Sequence, residues 1–261
     1  MSGSGSMFTF IICFIAGIGA GLGTGFAGMS AAAVISPMLI TFLGMPAYEA
    51  VGIALASDVL ASAVSAYTYG KNKNIDVKNG LVMMAAVLVF TLAGSWLAKL
   101  VPNKAMGGFS VVMTFLLGIK FIIKPVMTTR EKMENVPKKK RVIQSIVCGT
   151  FIGLICGFVG AGGGMMMLLI LTGVLGYELK TAVGTSVFIM TFTALTGAAS
   201  HFLLGGMSDI QCLVYCVLST LLWARIAALF ANKASPKTLN RAVGIVLAVL
   251  GAGILIVNIL K

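Results

Sequence analysis

Apolar runs broken by short polar, glycine or proline-marked stretches occupy almost the whole chain. Ten can be drawn, at 7–27, 30–43, 50–69, 81–101, 108–123, 142–159, 165–175, 181–204, 210–231 and 239–260. Most approach the roughly 20 residues that a membrane-crossing helix needs. The second and seventh fall well short, and each follows a glycine cluster, which predicts broken or re-entrant helices. The pattern predicts an all-α integral membrane protein.

Composition narrows the class in the same direction. Of 261 residues, 59% are hydrophobic and 10% charged, with a mean hydropathy of +1.04. A soluble domain carries about a quarter charged residues, so a cytosolic enzyme, a nucleic-acid-binding domain and a disordered chain are all excluded. The net charge of +12 is explained by position. If every run reverses direction, Lys71, Lys73, Lys78, the group from Lys120 to Arg141, Lys180, Lys233, Lys237 and Arg241 share one side, and Lys99, Lys104 and Lys261 take the other. Cytoplasmic loops collect Lys and Arg. The expected placement is therefore a multi-pass protein of the cell (inner or plasma) membrane, with both termini outside and the central loop cytoplasmic. Nucleic acid need not be invoked as a partner.

The organisation reads as residues 1–6, an added Ser/Gly linker; 7–124, a first transmembrane repeat; 125–141, a basic cytoplasmic loop; and 142–261, a second transmembrane repeat. Met7 reads as a native start, and no basic segment of a cleaved signal peptide precedes the first run. Cys13, Cys148, Cys156, Cys212 and Cys216 lie in apolar stretches without a Cys-x-x-Cys pair, so they read as packing residues. No metal site or cofactor is expected.

The two halves are related. Gly21–Ala54 set beside Gly153–Ser186, an offset of 132 without a gap, matches at 11 of 34 positions, including Gly-x-x-x-Gly-Phe-x-Gly and Ala-Val-Gly in register. Five runs per half is an odd number, so the second half should enter the membrane inverted. Inverted repeats with discontinuous helices meeting near the midplane are a plan of secondary transporters.

The glycine clusters are Gly21-Leu-Gly-Thr-Gly-Phe-Ala-Gly28 and Gly157-Phe-Val-Gly-Ala-Gly-Gly-Gly164. A helix broken there aims free N–H groups and a positive helix end at a cavity, which suits an anion. Tight helix packing through small residues is the competing reading for either cluster alone. Two clusters at equivalent places, each before a short run, favour the anion site. Its expected members are Gly25, Gly28 and Ser30 in the first half and Gly157, Gly160, Gly162, Gly163 and Gly164 in the second.

These residues carry a resemblance. Gly-Phe-x-Gly-x-Gly-Gly-Gly, some fifteen apolar residues and then Ala-Val-Gly-Thr-Ser at Ala182–Ser186 resemble the TauE/SafE sulfite exporter family, also called the toluene sulfonate uptake permeases. The basic loop between related halves is similar too, and the resemblance runs from Met7 almost to the end. The first half departs from it, with Gly-Met-Ser-Ala-Ala-Ala at Gly28–Ala33 and Gly-Ile-Ala at Gly52–Ala54. The resemblance implies transport of sulfite, sulfonates or related small organic anions.

Ionisable and hydroxyl groups at membrane depth supply further candidates. Arg225 offers a bidentate fork to a sulfonate, sulfite or carboxylate; alternatively it is the structural partner of Asp58 or snorkels to the cytoplasmic face. Asp58, Ser62, Ser65 and Tyr69 form one helical stripe, expected to line a cavity, with Asp58 a proton or sodium coupling site or a partner for Arg225. In the second half Thr185 and Ser186 are expected at the substrate and Thr193 and Thr196 along the cavity.

The sequence thus predicts a secondary carrier, not an enzyme, moving a small sulfur-containing anion such as sulfite or an organosulfonate by alternating access, with possible proton or sodium coupling. A carboxylate or metabolite-anion carrier on the same fold, and an anion channel, are the alternatives. The exact anion, direction, coupling ion and oligomeric state are not written in the chain.

Overall fold

The computed structural model describes residues 3–98, 115–116, 118–159, 163–205 and 209–259, and these are helical nearly throughout, with no strand among them. The first half folds as α1 (Gly3–Ala27), α2 (Ala32–Leu43), α3 (Ala47–Lys71) and α4 (Val77–Ala98). A short α5 (Arg130–Glu134) lies in the central loop. The second half contains α6 (Lys138–Val159), α7 (Gly163–Gly173), α8 (Leu179–Gly205), α9 (Ile210–Lys233) and α10 (Pro236–Ile259). Stretches of α1, α3, α8, α9 and α10 are long and apolar enough to cross a membrane. The predicted run 108–123 lies mostly outside the described residues; 118–123 is helical.

The second and seventh runs are short, as expected. The 12 residues of α2 span about 18 Å at 1.5 Å per residue, against a hydrocarbon layer of about 30 Å. Instead of crossing, α2 turns back along α1, with Met29 against Gly23 and Val34 against Gly19.

Helix directions follow from side-chain pairs. Ser6 meets Gln211, Phe10 meets Tyr215 and Phe26 meets Phe230, so α1 and α9 run side by side in the same direction. Met83 lies against Gly149 and Val87 against Gly153, so α4 and α6 do likewise. Between these pairs α3 and α8 run antiparallel, with Tyr69 beside Gly184 and Leu55 beside Gly197. Small residues close both parallel seams. A Cβ on Gly21 would lie 2.7 Å from the Thr220 carbonyl oxygen, and one on Gly153 would lie 2.7 Å from that of Val87. Gly21 and Gly153 are the first matched pair at the 132-residue offset.

The turns after the two short helices are built alike. Gly44 (φ 63°) and Gly176 (φ 66°) both take the left-handed conformation, which glycine enters without a steric penalty. The next residue's N–H then bonds back across the turn, from Met45 to Leu39 at 3.3 Å and from Tyr177 to Leu171 at 2.8 Å.

The basic loops gather at one end of the bundle. Asn74 donates to Asn232 at 2.7 Å, Lys180 donates to the Asn232 carbonyl at 2.9 Å, and Asn240 clasps the Val126 backbone. Ser6 and Gln211 mark the opposite end. Elsewhere the exterior is apolar, with Phe8, Ile11, Leu218, Leu222, Val249 and Ile256 all exposed. Such a surface suits lipid rather than water.

Candidate functional site

The break in the first half is made at Gly28, whose φ of 61° reverses the chain after α1. The Thr24 hydroxyl lies 2.9 Å from both the Ala20 and Met29 carbonyl oxygens and holds the turn. Ser30, just before the start of α2, accepts from the Ala32 N–H at 3.3 Å and donates to Asp58 Oδ2 at 2.6 Å. Ser62 donates to Asp58 Oδ1 at 2.9 Å, and the Ala31 N–H faces the same carboxyl group. Asp58, only 1% exposed, therefore occupies the positive end of α2. That end was expected to face a substrate anion; in the first half the chain's own carboxylate meets it.

The start of α7 comes against the Gly28 turn. Gly164 at the start of α7 is so close that a Cβ there would lie 2.6 Å from the Gly28 carbonyl oxygen and 2.8 Å from the Ser30 nitrogen. Ser186 on α8 donates to the Gly28 carbonyl at 3.0 Å and lies 3.5 Å from that of Gly164. Met190 Sδ lies 3.8 Å from the same hydroxyl. By the 132-residue offset Met190 corresponds to Asp58, so an uncharged thioether stands where the first half has an acid. Gly157 lies within α6 and Gly163 opens α7, while Gly160 and Gly162 fall outside the described residues.

The rest of the α3 stripe, expected to line a cavity, is buried in the packing. The Tyr69 hydroxyl donates to the Gly25 carbonyl at 2.9 Å, and Ser65 Oγ is enclosed without a hydrogen-bond partner. Gly25 itself lies in the α1–α9 seam, where a Cβ would fall 2.5 Å from that of Ala227, so packing governs this position. Thr185 is buried and accepts the Asp76 N–H at 3.0 Å. Thr193 and the exposed Thr196 bond back to carbonyls of their own helix, a habit of hydroxyls within helices.

Arg225 is placed differently from every interior role considered for it. It is exposed, in the outward row of Leu218, Leu222 and Leu229, and Asp58 is bonded to Ser30 and Ser62 instead. The inward face of α9 is written in Ala224, Ala227, Ala228 and Ala231, all buried. Arg225 follows Ala224 by one residue, a turn of about 100°, and so faces away.

A second polar cluster at the basic end has no counterpart in the sequence reading. Asp76 caps α4 by accepting the Asn79 N–H at 3.2 Å, and receives the Asn79 amide at 2.7 Å and the Tyr177 hydroxyl at 2.8 Å. Arg141 at the start of α6 lies 3.7 Å from Asp76, donates to the Met133 carbonyl and covers the Tyr177 ring. Burial, and then the Asp76 charge, push the Tyr177 phenol above its ordinary range. The one available signal was an aspartate amid a lysine-rich loop, in a chain with seven acidic residues.

A cavity of about 540 Å³ lies away from both polar clusters, between α1, α2 and α10, lined by apolar residues including Ile15, Val34, Met38, Val249 and Leu250. Cys13 on α1 approaches Cys212 and Cys216 on α9 within hydrogen-bonding reach. Among the described residues no group of His, Cys, Asp or Glu is placed to hold a metal ion.

Comparison with known proteins gives the same class. The chain is 24% identical to the probable membrane transporter protein YdhB of Bacillus subtilis, covering 94% of this chain and 98% of that protein. It is 23% identical to YunE of the same organism, named likewise, over 93% and 96% of the two chains. A probable membrane transporter protein of Methanocaldococcus jannaschii is 26% identical over 92% of each. The family described as sulfite exporter TauE/SafE matches residues 13–254. With two helix breaks meeting inside an apolar bundle, and that match across nearly its whole length, the chain belongs to the TauE/SafE family of membrane transporters.

Proposed function

We propose that this transporter is a secondary carrier of a small sulfur-containing anion, sulfite or an organosulfonate, moved by alternating access between two inverted halves. The observation that carries the reading is the convergence of Gly28, Ser30, Gly164 and Ser186 at the junction of the halves. Broken helices bring backbone N–H groups and hydroxyls there without a fixed positive charge, enough to hold an anion weakly and release it. Ser30, Ser62, Ser65 and Ser186 are all buried, so the arrangement described is a closed one that the anion must open.

The packing supports the inverted arrangement. The first helix of each half lies along the fourth of the other, and the third helices cross antiparallel at the centre. The clustering of basic loops at one end favours that end as cytoplasmic, with both termini outside. A thermal-shift panel of sulfite, thiosulfate, sulfoacetate, taurine and simple carboxylates on purified protein tests the substrate class, since a ligand at 100 times its Kd stabilises by about 2.7 kcal/mol. Stabilisation by sulfite or a sulfonate is expected. A response to carboxylates alone would overturn the sulfur assignment, and non-saturating flux in vesicles would overturn the carrier in favour of a channel.

A further inference from the structure

We propose that Asp58 is the proton-binding group of the carrier, and that protonating it releases the donors at the α2 end to the anion, so that one proton moves with each anion. The inference rests on the anion-carrier reading above and specifies its coupling.

The carboxyl group is enclosed by hydrogens. Both oxygens receive serine hydroxyls, from Ser30 and Ser62, and the Ala31 N–H faces them too. A metal cation needs a shell of oxygen lone pairs, and the Ala31 N–H, a donor only, takes one place in that shell, which favours the proton over sodium. Among the described residues, no counter-charge is placed against Asp58 by a packed element, and α7 carries no ionisable side chain. The ionisable side chain that α1 carries is Cys13, which sits beside Cys212, and α2 carries none. On α8, Lys180 is engaged at the basic end by Asn232, and His201 lies three turns beyond Met190. On α9, Arg225 and Lys233 are exposed. On α3 itself, Glu49 and Lys71 lie near opposite ends, and the Tyr69 hydroxyl is committed to Gly25.

A charged Asp58 and a substrate anion would therefore compete for the same donors while repelling each other. Adding a proton to Asp58 converts a charged acceptor into a neutral carboxylic acid; no other bond forms or breaks. Ser30, Ser62 and the Ala31 N–H are then free to turn to an anion beside Gly28 and Gly164. Losing the anion restores them to the carboxylate and expels the proton. Met190, at the equivalent place in the second half, cannot titrate, so the device belongs to the first half alone.

The test begins without substrate. Infrared difference spectra of purified protein between acid and alkaline pH should show a carboxylic-acid carbonyl band that Asp58→Asn removes. Ser62→Ala keeps the acid but deletes a donor to its ionised form, so the band's midpoint should move to higher pH by about one unit. Vesicles then test coupling with isethionate, a sulfonate that stays ionised throughout, so any proton moved with it is carried by the protein. A gradient of one pH unit should drive accumulation approaching about tenfold at zero membrane potential, and Asp58→Asn should exchange isethionate without responding to the gradient. A band unchanged in Asp58→Asn, no midpoint shift in Ser62→Ala, or gradient-driven accumulation in Asp58→Asn would each overturn the proposal. If the band behaves as expected but the unaltered protein moves no isethionate, the coupling to sulfonates falls while the proton site stands.

Discussion

Gly164 and Gly28 approach because neither carries a side chain, and their contact joins the two halves at the candidate site. A Cβ on Gly164 would press on two backbone atoms, the Gly28 oxygen and the Ser30 nitrogen, which cannot swing aside as a flexible side chain could. Gly164→Ala should lower stability by about 1–3 kcal/mol and abolish flux, read by thermal melting in detergent and by vesicle uptake. Arg225→Gln should do neither. Its side chain is exposed among lipid-facing leucines, so the stability change should stay within about 0.5 kcal/mol and ligand affinity should be unaltered. The glycine clusters were legible because their spacing repeats. The direction of Arg225 is written in the alanines near it, Ala224, Ala227 and Ala228, which form the buried face.

Among the elements, α2 stands between the polar cluster and the apolar cavity. Its first turn is tied to Asp58 through Ser30, while Val34, Pro37, Met38 and Phe42 line the cavity wall. Space on one side and polar contacts on the other suit a short helix that shifts when the site opens. Gly253 on α10 lines the same cavity, and a Cβ there would meet nothing within 4 Å. Gly253→Leu should therefore fill space without strain, holding or raising the melting temperature while slowing flux. Equal flux with a raised melting temperature would show that α2 does not use the cavity. Helix ends were less legible than helix centres. Hydropathy marks where a run enters lipid, whereas α6 and α10 start earlier, at Lys138 and Pro236. Backbone hydrogen bonding continues into the polar region, and Ser235 caps the second of these starts by accepting the Thr238 N–H at 3.3 Å.

Across the whole molecule, the Asp76–Arg141–Tyr177 cluster ties the α3–α4 turn of the first half, the central loop and the second half into one basic-end closure. Any opening towards that end must separate these groups. Tyr177→Phe removes a hydrogen bond to a carboxylate, worth about 1.5–3 kcal/mol, and should lower the melting temperature while speeding opening at that end. Faster labelling of a cysteine introduced at Thr185, which the Asp76 backbone covers, would report the opening. Unchanged labelling would reduce the cluster to a stabilising contact.

The all-α membrane class was decided by the order of residues alone, because hydropathy and charge distribution are properties of a linear chain. The membrane class is set by free energy of transfer. Which donors face which acceptors depended on tertiary packing. Ser30 and Asp58 are 28 positions apart, and Ser186 and Gly28 are 158 apart. No local pattern brings such groups within hydrogen-bonding distance. Their meeting requires the reversal at Gly28 and the start of α7 beside it, and the turn of α9 that sends Arg225 outward leaves Asp58 to the two serines.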